Sequence, residues 1–441
     1  MIDYIRNWGI NQEKIRGGRI TIIGASPLAN YLCFYIAGLG LRNIRIIDDA
    51  LYSGNPNEFL VKKGYKVKSL EEQIKSINDD LYIEAVPLKA DKALIGSPDI
   101  LIDLTNNPGI KNLSQRAFSL NPQIKFYISA SSSEDSCSMI VREDKSKLVS
   151  KINPLKNFNC LQGNYSSGLM AAIILDEIRK IISPLDSDKV TLGKINYNLE
   201  CPKRFFLGKN NPCRLDSPKG KILLCGAGGI GTYAALNLTL EGFDIDIFDG
   251  DIIEPHNISR QLFYHDFIGK KKAGTLRYKL KKITKKTKIL ALDNFLTPEN
   301  IPSVPYDAMI CCADNWQARK TLNDYAIESG IPLFNAAVTP FSAKAEAYLP
   351  NKNYCLNCRY DLDNLVKRDG RQSCADYYET NVVMTNAFIG AFLAGEVKAL
   401  LNPDLTTSLK NNFLYQSKPA NLSKFIFSSK ERRIKKCRCS I

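Results

Sequence analysis

A glycine-rich turn that follows a short apolar segment constrains the fold of this chain more than any other feature. Ile222–Cys225 is a continuous apolar run, which predicts a strand buried on both faces of a parallel sheet. Gly226, Gly228 and Gly231 come next, with Gly229 between them, in the order G-x-G-x-x-G. The first glycine of such a turn allows a tight bend, and the second lets the backbone approach a phosphate. The third lets the next helix pack closely on the sheet.

The elements after the turn complete a nucleotide-binding pattern. An Ala- and Leu-rich helix is predicted from Thr232 to Glu241, and a second strand from Ile245 to Phe248. Asp249 follows that strand, where an acid contacts a ribose hydroxyl in this pattern. Strand, glycine turn, helix, strand and acid in this order predict one half of a nucleotide-binding α/β fold.

The residues beyond this acid indicate which nucleotide is bound. They are Asp251, Asn257, Arg260, Gln261 and Lys272. Cations this close to the glycine turn favour a triphosphate over NAD, because the reacting phosphates carry charge that must be neutralised. Further on, residues 310–315 predict a strand that ends in the carboxylate of Asp314, at the edge of the sheet where ligands collect.

The first half of the chain contains a weaker copy of the same pattern. Four segments recur in the same order, because residues 19–29, 44–49, 98–107 and 168–182 match 221–231, 245–250, 305–315 and 387–401. Asp48 takes the place of Asp249, and Asn106 takes the place of Asp314. Four matches in one order predict a duplicated fold.

The first copy is expected to have lost the chemistry. Its turn has Ser26 and Ala29 in place of the second and third glycines, and a comparison without gaps puts Phe59 and Leu60 at the positions of the arginine and the glutamine. A turn that contains Pro27 and has no paired cation should not hold a triphosphate. This half is therefore expected to be structural or to recognise a partner.

Composition narrows the setting in which the chain works. The N-terminal segment carries an early acid and no apolar core, so it does not resemble a secretory signal, and no apolar run is expected to be long enough to cross a bilayer. The thirteen cysteines are therefore expected in a reducing cytoplasm, where metal binding or catalysis outranks disulfides. The net charge of +15 indicates either solvated basic surfaces or attraction for an acidic partner or ATP, whereas no nucleic-acid-binding motif accompanies it.

The motifs GAGGIG, FDGD, HNISRQ, IGKKK and CCADN, in that order, resemble the ubiquitin-activating-enzyme superfamily, which includes the ThiF-type adenylating enzymes. The resemblance covers most of the chain from Lys221 onward. It implies an α/β architecture of two Rossmann-like, three-layer domains in tandem. The expected boundaries are a degenerate domain over residues 1–200, a linker over 201–220 and an active adenylation domain over 221–441.

The resemblance also implies a reaction in which a carboxylate and ATP give an acyl-adenylate and pyrophosphate. The glycine turn would receive phosphate oxygens, and Asp249 would take the ribose hydroxyls. Arg260 and Lys272 would neutralise charge on the phosphates, and Asp314 would hold Mg²⁺. The other residues expected to bind or orient the nucleotide are Asp251, Asn257 and Gln261.

Cysteine spacing predicts a metal site in the C-terminal part. Cys355 and Cys358 have the C-x-x-C spacing of half a structural zinc site, and Cys437 with Cys439 would supply the other half. The superfamily uses a second C-x-x-C there, so the C-x-C of this chain is a departure. Such a zinc ion would hold the C-terminal tail on its domain.

Two further residues have expected roles through the resemblance. Cys374 lies where ThiF-like enzymes carry a cysteine, and it is expected either to take the activated acyl group or to be structural. Arg6 is the nearest candidate for an arginine that reaches a partner's ATP site in the superfamily, with an ordinary helix start as the alternative.

The sequence leaves the substrate open. A small ubiquitin-like or sulfur-carrier protein and a short ribosomal peptide both end in the required carboxylate, and the two halves of the chain are expected to form an internal pseudo-dimer that could also pair with a second chain. A non-catalytic member that presents a leader peptide to another enzyme is the alternative, and it predicts loss of the cations that this chain retains. An NAD-dependent dehydrogenase is disfavoured by the lack of a catalytic histidine or hydride-site acid.

Overall fold

Two α/β units make up the protein. The computed structural model describes residues 2–4, 9–143, 145, 164–201, 204–210, 215–216, 218–368, 381–403, 405, 412–428, 437 and 439. One unit comprises residues 1–215 with 417–424, and the other comprises 216–416 with 425–441. Each unit holds one eight-stranded sheet within the described residues, which confirms the predicted architecture of two tandem Rossmann-like domains.

The elements of the first unit alternate between strand and helix as far as β5. Its strands are β1 (Arg19–Ile23), β2 (Asn43–Ile47), β3 (Tyr82–Val86), β4 (Ile100–Asp103), β5 (Phe126–Ser132), β6 (Ser136–Arg142), β7 (Gly193–Asn198) and β8 (Phe205–Phe206). Its helices are α1 (Gln12–Gly17), α2 (Pro27–Leu39), α3 (Lys66–Ile77), α4 (Lys92–Ile95), α5 (Pro108–Leu120) and α6 (Tyr165–Ile182).

The second unit follows the same plan. Its strands are β9 (Lys221–Cys225), β10 (Asp244–Phe248), β11 (Ile289–Leu292), β12 (Ala308–Cys311), β13 (Leu333–Thr339), β14 (Ser342–Tyr348), β15 (Asn412–Gln416) and β16 (Phe425–Ser428). Its helices are α7 (Gly229–Glu241), α8 (Lys272–Ile283), α9 (Trp316–Ser329), α10 (Leu356–Tyr360), α11 (Leu362–Arg368) and α12 (Val383–Leu401).

Strand order is identical in the two sheets. It runs β3-β2-β1-β4-β5-β6-β7-β8 in the first and β11-β10-β9-β12-β13-β14-β15-β16 in the second. The first five strands of each order are parallel, and the remainder pair antiparallel. In each sheet the two strands after the central strand (β1 or β9) are added on one side of it, and the next strand (β4 or β12) is added on the other side. This reversal of strand order creates a switch point, where ligands of α/β proteins bind.

Helix α12 is a core helix of the second unit. It packs so closely on α7 that a Cβ atom on Gly390 would lie 2.8 Å from the backbone nitrogen of Ala234, which explains a glycine inside a helix. Its 19 residues are long and apolar enough to span a membrane by length and composition, which corrects the expectation from the sequence. However, 94% of the apolar window lies buried inside the protein, as in a core helix.

A loop between two strands of the second unit belongs to the first unit. Residues 417–424 connect β15 to β16, and Lys424 at their end is fully buried with its ammonium on the carboxylates of Glu177 and Asp176 in α6. Glu177 also accepts hydrogen bonds from the backbone nitrogen and hydroxyl of Thr191, at 2.8 and 2.9 Å. Ser417 contributes a hydroxyl that donates to Asp176 at 2.6 Å. The loop therefore supplies a buried positive charge, Lys424, that compensates the buried carboxylates of Asp176 and Glu177.

Candidate nucleotide site and cysteine cluster

The predicted site residues of the second unit gather at one edge of its sheet. Strands β10, β9 and β12 are parallel neighbours, so their carboxyl ends lie side by side. Asp249 follows β10, Gly226 follows β9 and Asp314 follows shortly after β12. The topology thus places the acid, the glycine turn and the second carboxylate at the switch point of the sheet.

The glycine turn leaves the start of α7 open. Gly226 has a φ of +97°, which favours glycine, and a Cβ on Gly231 would lie 1.8 Å from the Gly226 carbonyl oxygen. Gly228 is the N-cap of α7, and no side chain caps this helix among the described residues. The nearest atom to a Cβ on Gly228 would be Nε2 of Gln261, at 3.9 Å. Backbone N–H groups at such a helix start suit phosphate oxygens.

Asp249 holds the glycine turn in shape. Its Oδ2 accepts a hydrogen bond from the Ala227 nitrogen at 2.7 Å, and its Oδ1 accepts one from the Asp251 nitrogen at 2.8 Å. Burial raises the pKa of Asp249, and Lys272 opposes that rise. The carboxylate is therefore fixed beside the turn by two backbone amides, while lone pairs on both oxygens remain for a ligand.

Lys272 and Asp251 form the charged pair of the site. Lys272 is the first residue of α8, and its Nζ lies 2.8 Å from Oδ2 of Asp251. The lysine side chain is 5% exposed and the aspartate side chain 25% exposed. Asp314 is exposed, and its pKa is raised by desolvation and by the charge of Asp251 and lowered by Lys272. One cation thus acts on three carboxylates at this edge.

The segment between β10 and α8 carries the remaining predicted residues. Asn257 uses its Oδ1 to accept a hydrogen bond from the Glu254 nitrogen at 3.1 Å, so it shapes the segment. Arg260 is buried and donates to the His256 carbonyl at 2.8 Å, and its charge lowers the otherwise raised pKa of Tyr233 in α7. The segment therefore brings the charge of the arginine close enough to act on a residue of the helix that begins at the glycine turn.

Two carbonyl oxygens near the turn have no hydrogen-bond partner among the described residues. They are Oε1 of Gln261 and Oδ1 of Asn386 in α12, and both residues are buried. Asn386 lies against the start of α7, because a Cβ on Gly229 would be 2.3 Å from its Oδ1. A donor from a bound water or ligand would satisfy these two buried atoms. The sequence patterns do not reveal Asn386, which carries no motif.

The four cysteines predicted to bind zinc lie together. The sulfur atoms of Cys355, Cys358, Cys437 and Cys439 are all within 4.8 Å of one another. Cys358 lies 3.6 Å from Cys437 and 3.7 Å from Cys439, sulfur to sulfur. Four Zn–S bonds of about 2.3 Å in a tetrahedron give sulfur separations of about 3.8 Å. The residues fit a tetrahedral metal ion despite the C-x-C spacing.

The first unit keeps one cation that the comparison without gaps missed. Lys66 is the first residue of α3, as Lys272 is of α8, and its Nζ lies 2.5 Å from Oε1 of Glu58. An isolated bridge joins Leu51 to Tyr65 in the first unit, as one joins Ile252 to Lys271 in the second. The connection from β2 to α3 is shorter than that from β10 to α8. A comparison without gaps, which aligns Phe59 with the arginine, therefore does not align Lys66 with Lys272. Contrary to the expectation, the first unit therefore has a cation, Lys66, at the position of Lys272. Its charge is paired with Glu58.

Cys374 and Arg6 lie outside the described residues. Their predicted roles therefore stay predictions.

Fold and site define a tandem α/β protein whose second unit has the turn, acid and cation arrangement of a nucleotide-binding domain. The chain belongs to the ThiF family, which matches residues 5–196 and 207–440.

Several curated proteins are similar over shorter segments. An adenylyltransferase and sulfurtransferase uba4 of Aspergillus niger is 36% identical over 121 residues, which is 26% of this chain and 25% of that protein. A sulfur carrier protein ThiS adenylyltransferase of Bacillus subtilis is 31% identical over 149 residues, covering 32% of this chain and 44% of that protein. The similarity to these two relatives therefore spans about a quarter to under a half of their lengths.

Solved structures of E. coli MccB are similar to this chain with TM-scores below 0.5. MccB with MccA gives a TM-score of 0.42 at 21% identity, covering 50% of this chain and 66% of that chain. MccB with ATP gives 0.39 at 22% identity, covering 46% and 61%.

Proposed function

We propose that this protein is an ATP-dependent adenylyltransferase that activates the C-terminal carboxylate of a small ubiquitin-like or sulfur-carrier protein or of a ribosomal peptide. The observation that carries the proposal is the open start of α7 beside the Lys272–Asp251 pair and Asp314 at one sheet edge. Family membership and the names of the curated relatives support the same reaction class.

The chemistry requires two anions to meet. An oxygen of the substrate carboxylate attacks the α-phosphorus of ATP, a P–O bond forms, and the bond to the pyrophosphate leaving group breaks. Amides of the turn at Gly228 bind phosphate oxygens, while Lys272 and Arg260 reduce the repulsion between the reacting groups. In this proposal Asp249 accepts hydrogen bonds from the ribose hydroxyls. Mg²⁺, held by Asp314, would supply further neutralisation of the phosphates.

The zinc site is proposed to be structural. Its four sulfurs join α10 to the C-terminal tail, and Tyr348 and Leu356 belong to the same buried cluster. A closed set of four thiolates leaves no open position for a substrate. A metal there would thus stabilise the domain rather than take part in adenylation.

ATP–pyrophosphate exchange tests the reaction directly. The candidate carboxylates are ubiquitin-like proteins that end in Gly-Gly and short ribosomal peptides, offered separately so that the responding class identifies the substrate. Exchange should appear with one class and fall by about 10²–10³ in Arg260→Ala, the range for losing one preorganised charge-stabilising group.

The matched controls come from the same segment and helix. Lys279, about two turns along α8 from Lys272, pairs with Asp266 at 3.1 Å. Lys279→Ala and Asp266→Ala should keep exchange, whereas Asp314→Ala should lose it. Exchange that survives both Arg260→Ala and Asp314→Ala would remove the assignment. Binding of Mg·ATP measured by calorimetry gives a readout that needs no carboxylate partner.

A further inference from the structure

A cavity in the first unit occupies the position of the nucleotide site in the second. Its volume is about 290 Å³, near the lower end of the range for small-molecule sites. It lies at the carboxyl ends of β1, β2 and β4, and its lining includes Gly24, Asp48, Glu58, Lys66, Asn106 and Asn107. The sequence predicts no ligand for it, because the first copy has lost two glycines of the turn.

The part of this cavity that would face a ribose is built as in the second unit. Gly24 has a φ of +98°, matching Gly226. Oδ2 of Asp48 accepts a hydrogen bond from the Ala25 nitrogen at 2.8 Å, and Oδ1 accepts one from the Ala50 nitrogen at 2.7 Å. These are the two bonds that Asp249 makes in the second unit. The acid is therefore presented in the same way in both copies.

The part of the cavity that would face phosphates differs from its counterpart in the second unit. Ser26 caps α2 by accepting a hydrogen bond from the Ala29 nitrogen at 3.4 Å, and Pro27 at the first helical position has no N–H to offer. The helix start that is open in the second unit is thus partly closed here. Lys66 is bound to Glu58, so its charge is already neutralised. A phosphate group would meet a partly closed helix start and a buried carboxylate. Lys89 also lines the cavity, but it is exposed, so water screens its charge.

Glu58 is the observation that points to a ligand. Its side chain is 2% exposed and lines the cavity. Oε1 accepts from Lys66, while Oε2 has no hydrogen-bond partner among the described residues. Burial raises the pKa of Glu58, and its bond to Lys66 opposes that rise. A buried carboxylate oxygen without a donor is costly, so a ligand that brings a hydroxyl or amine donor is favoured.

We propose that this cavity binds an uncharged ribonucleoside and discriminates against its 5′-phosphate. The ribose diol donates to Asp48, whose oxygens keep lone pairs beyond the two backbone bonds. The 5′-hydroxyl donates to Oε2 of Glu58, which has less than 1 Å² of accessible surface, so binding includes a turn of this side chain toward the cavity. A 5′-phosphate ester has lost that hydroxyl and adds negative charge beside Glu58, so a nucleotide is disfavoured on both counts. The assignment of the ribose to Asp48 rests on the role proposed for Asp249 in the second unit, although the nucleoside would bind at a separate site.

Calorimetric titration of the full chain tests the proposal. The probes are adenosine, guanosine, cytidine and uridine, each with its 5′-monophosphate. At least one nucleoside should bind, and more tightly than its monophosphate. The nucleoside should still bind to Asp249→Asn, in which the acid of the second unit is changed. Binding that is lost in Asp249→Asn but unaffected in Glu58→Gln would assign the nucleoside to the second unit and overturn the proposal.

A ligand that lacks the 5′-hydroxyl distinguishes loss of recognition by Glu58 from loss of folding in the Glu58→Gln variant. 5′-Deoxyadenosine cannot donate to Glu58, so it should bind wild type at least tenfold more weakly than adenosine. In Glu58→Gln that difference should shrink, whatever the variant does to overall stability. Equal binding of the two compounds to wild type, tighter binding of the monophosphates, or no binding of any nucleoside would each refute the proposal.

Discussion

Gly228→Ala separates phosphate binding from folding at the glycine turn. Gly228 has a φ of −79° and a ψ of −150°, which is about 30° beyond the edge of the β region, so alanine there carries a backbone strain of about 1–3 kcal/mol. An added Cβ would have no protein atom nearer than Nε2 of Gln261 at 3.9 Å. The remaining cost to folding is the preference for glycine over alanine at an N-cap, about 1 kcal/mol or less. The substitution therefore leaves the domain folded.

The same methyl group occupies the space through which a phosphate would approach the amides at the start of α7. Losing one hydrogen bond to a charged group costs about 1.5–3 kcal/mol. That corresponds to a Kd for Mg·ATP that is about 10- to 150-fold weaker. Isothermal titration measures the affinity, and urea denaturation measures the free energy of unfolding of the same preparation.

The matched control is Gly17→Ala at the end of α1. A Cβ at Gly17 would meet no atom within 4 Å, and its φ is not positive. This variant should bind Mg·ATP as wild type does. If Gly228→Ala also bound ATP with unchanged affinity, the turn would not receive phosphates, and the reasoning about the site would be refuted.

Four other outcomes are expected. Lys272→Met should slow pyrophosphate exchange by about 10²–10³ while the control Lys279→Met keeps the wild-type rate, and equal rates would contradict the role of the buried pair. Lys424→Met should lower the free energy of unfolding by about 3–5 kcal/mol in urea titrations, because Asp176 and Glu177 lose one of their buried counter-charges and keep only those of Arg179 and Lys180; a loss under 1 kcal/mol would argue against that network. Although burial opposes its ionisation, Lys180, Arg179 and Lys424 lower the pKa of Asp176, so its contribution to stability is present above pH about 4 and lost as pH falls further. The stability difference between wild type and Asp176→Asn should therefore shrink from pH about 6 to about 3. Cys355→Ser should reduce bound zinc in elemental analysis, and unchanged zinc content would exclude the cluster.

The sequence predicted the parts of the fold that local patterns determine. The apolar run before Gly226 and the acid after β10 mark strands whose ends must meet at the edge of a parallel sheet, so their placement followed from topology. The repeat was recognisable because Asp48 and Asn106 keep their offsets from the strands. Element starts were less accurate, since α7 begins at Gly229 rather than at residue 232.

What the sequence could not provide depends on distant contacts and on loop length. The equivalence of Lys66 and Lys272 is hidden because the connection before α3 is shorter than that before α8. Asn386 reaches the glycine turn only through the packing of α12 on α7. Oε2 of Glu58 is buried without a hydrogen-bond partner among the described residues, and the spacing of residues in the sequence does not predict this. The membrane-length helix was missed because its apolar stretch includes polar residues that the core accommodates.

The loop at 417–424 limits how the two units can be studied. A fragment that stops at residue 215 would lack the lysine that neutralises Glu177, and it would leave two acids of α6 with fewer counter-charges in the interior. Deleting the loop from the second unit would in turn remove the connection between β15 and β16. The first unit is therefore completed by a segment that lies, in sequence, between two strands of the second. Dissecting their separate contributions calls for substitutions in the intact polypeptide rather than for expression of the halves alone.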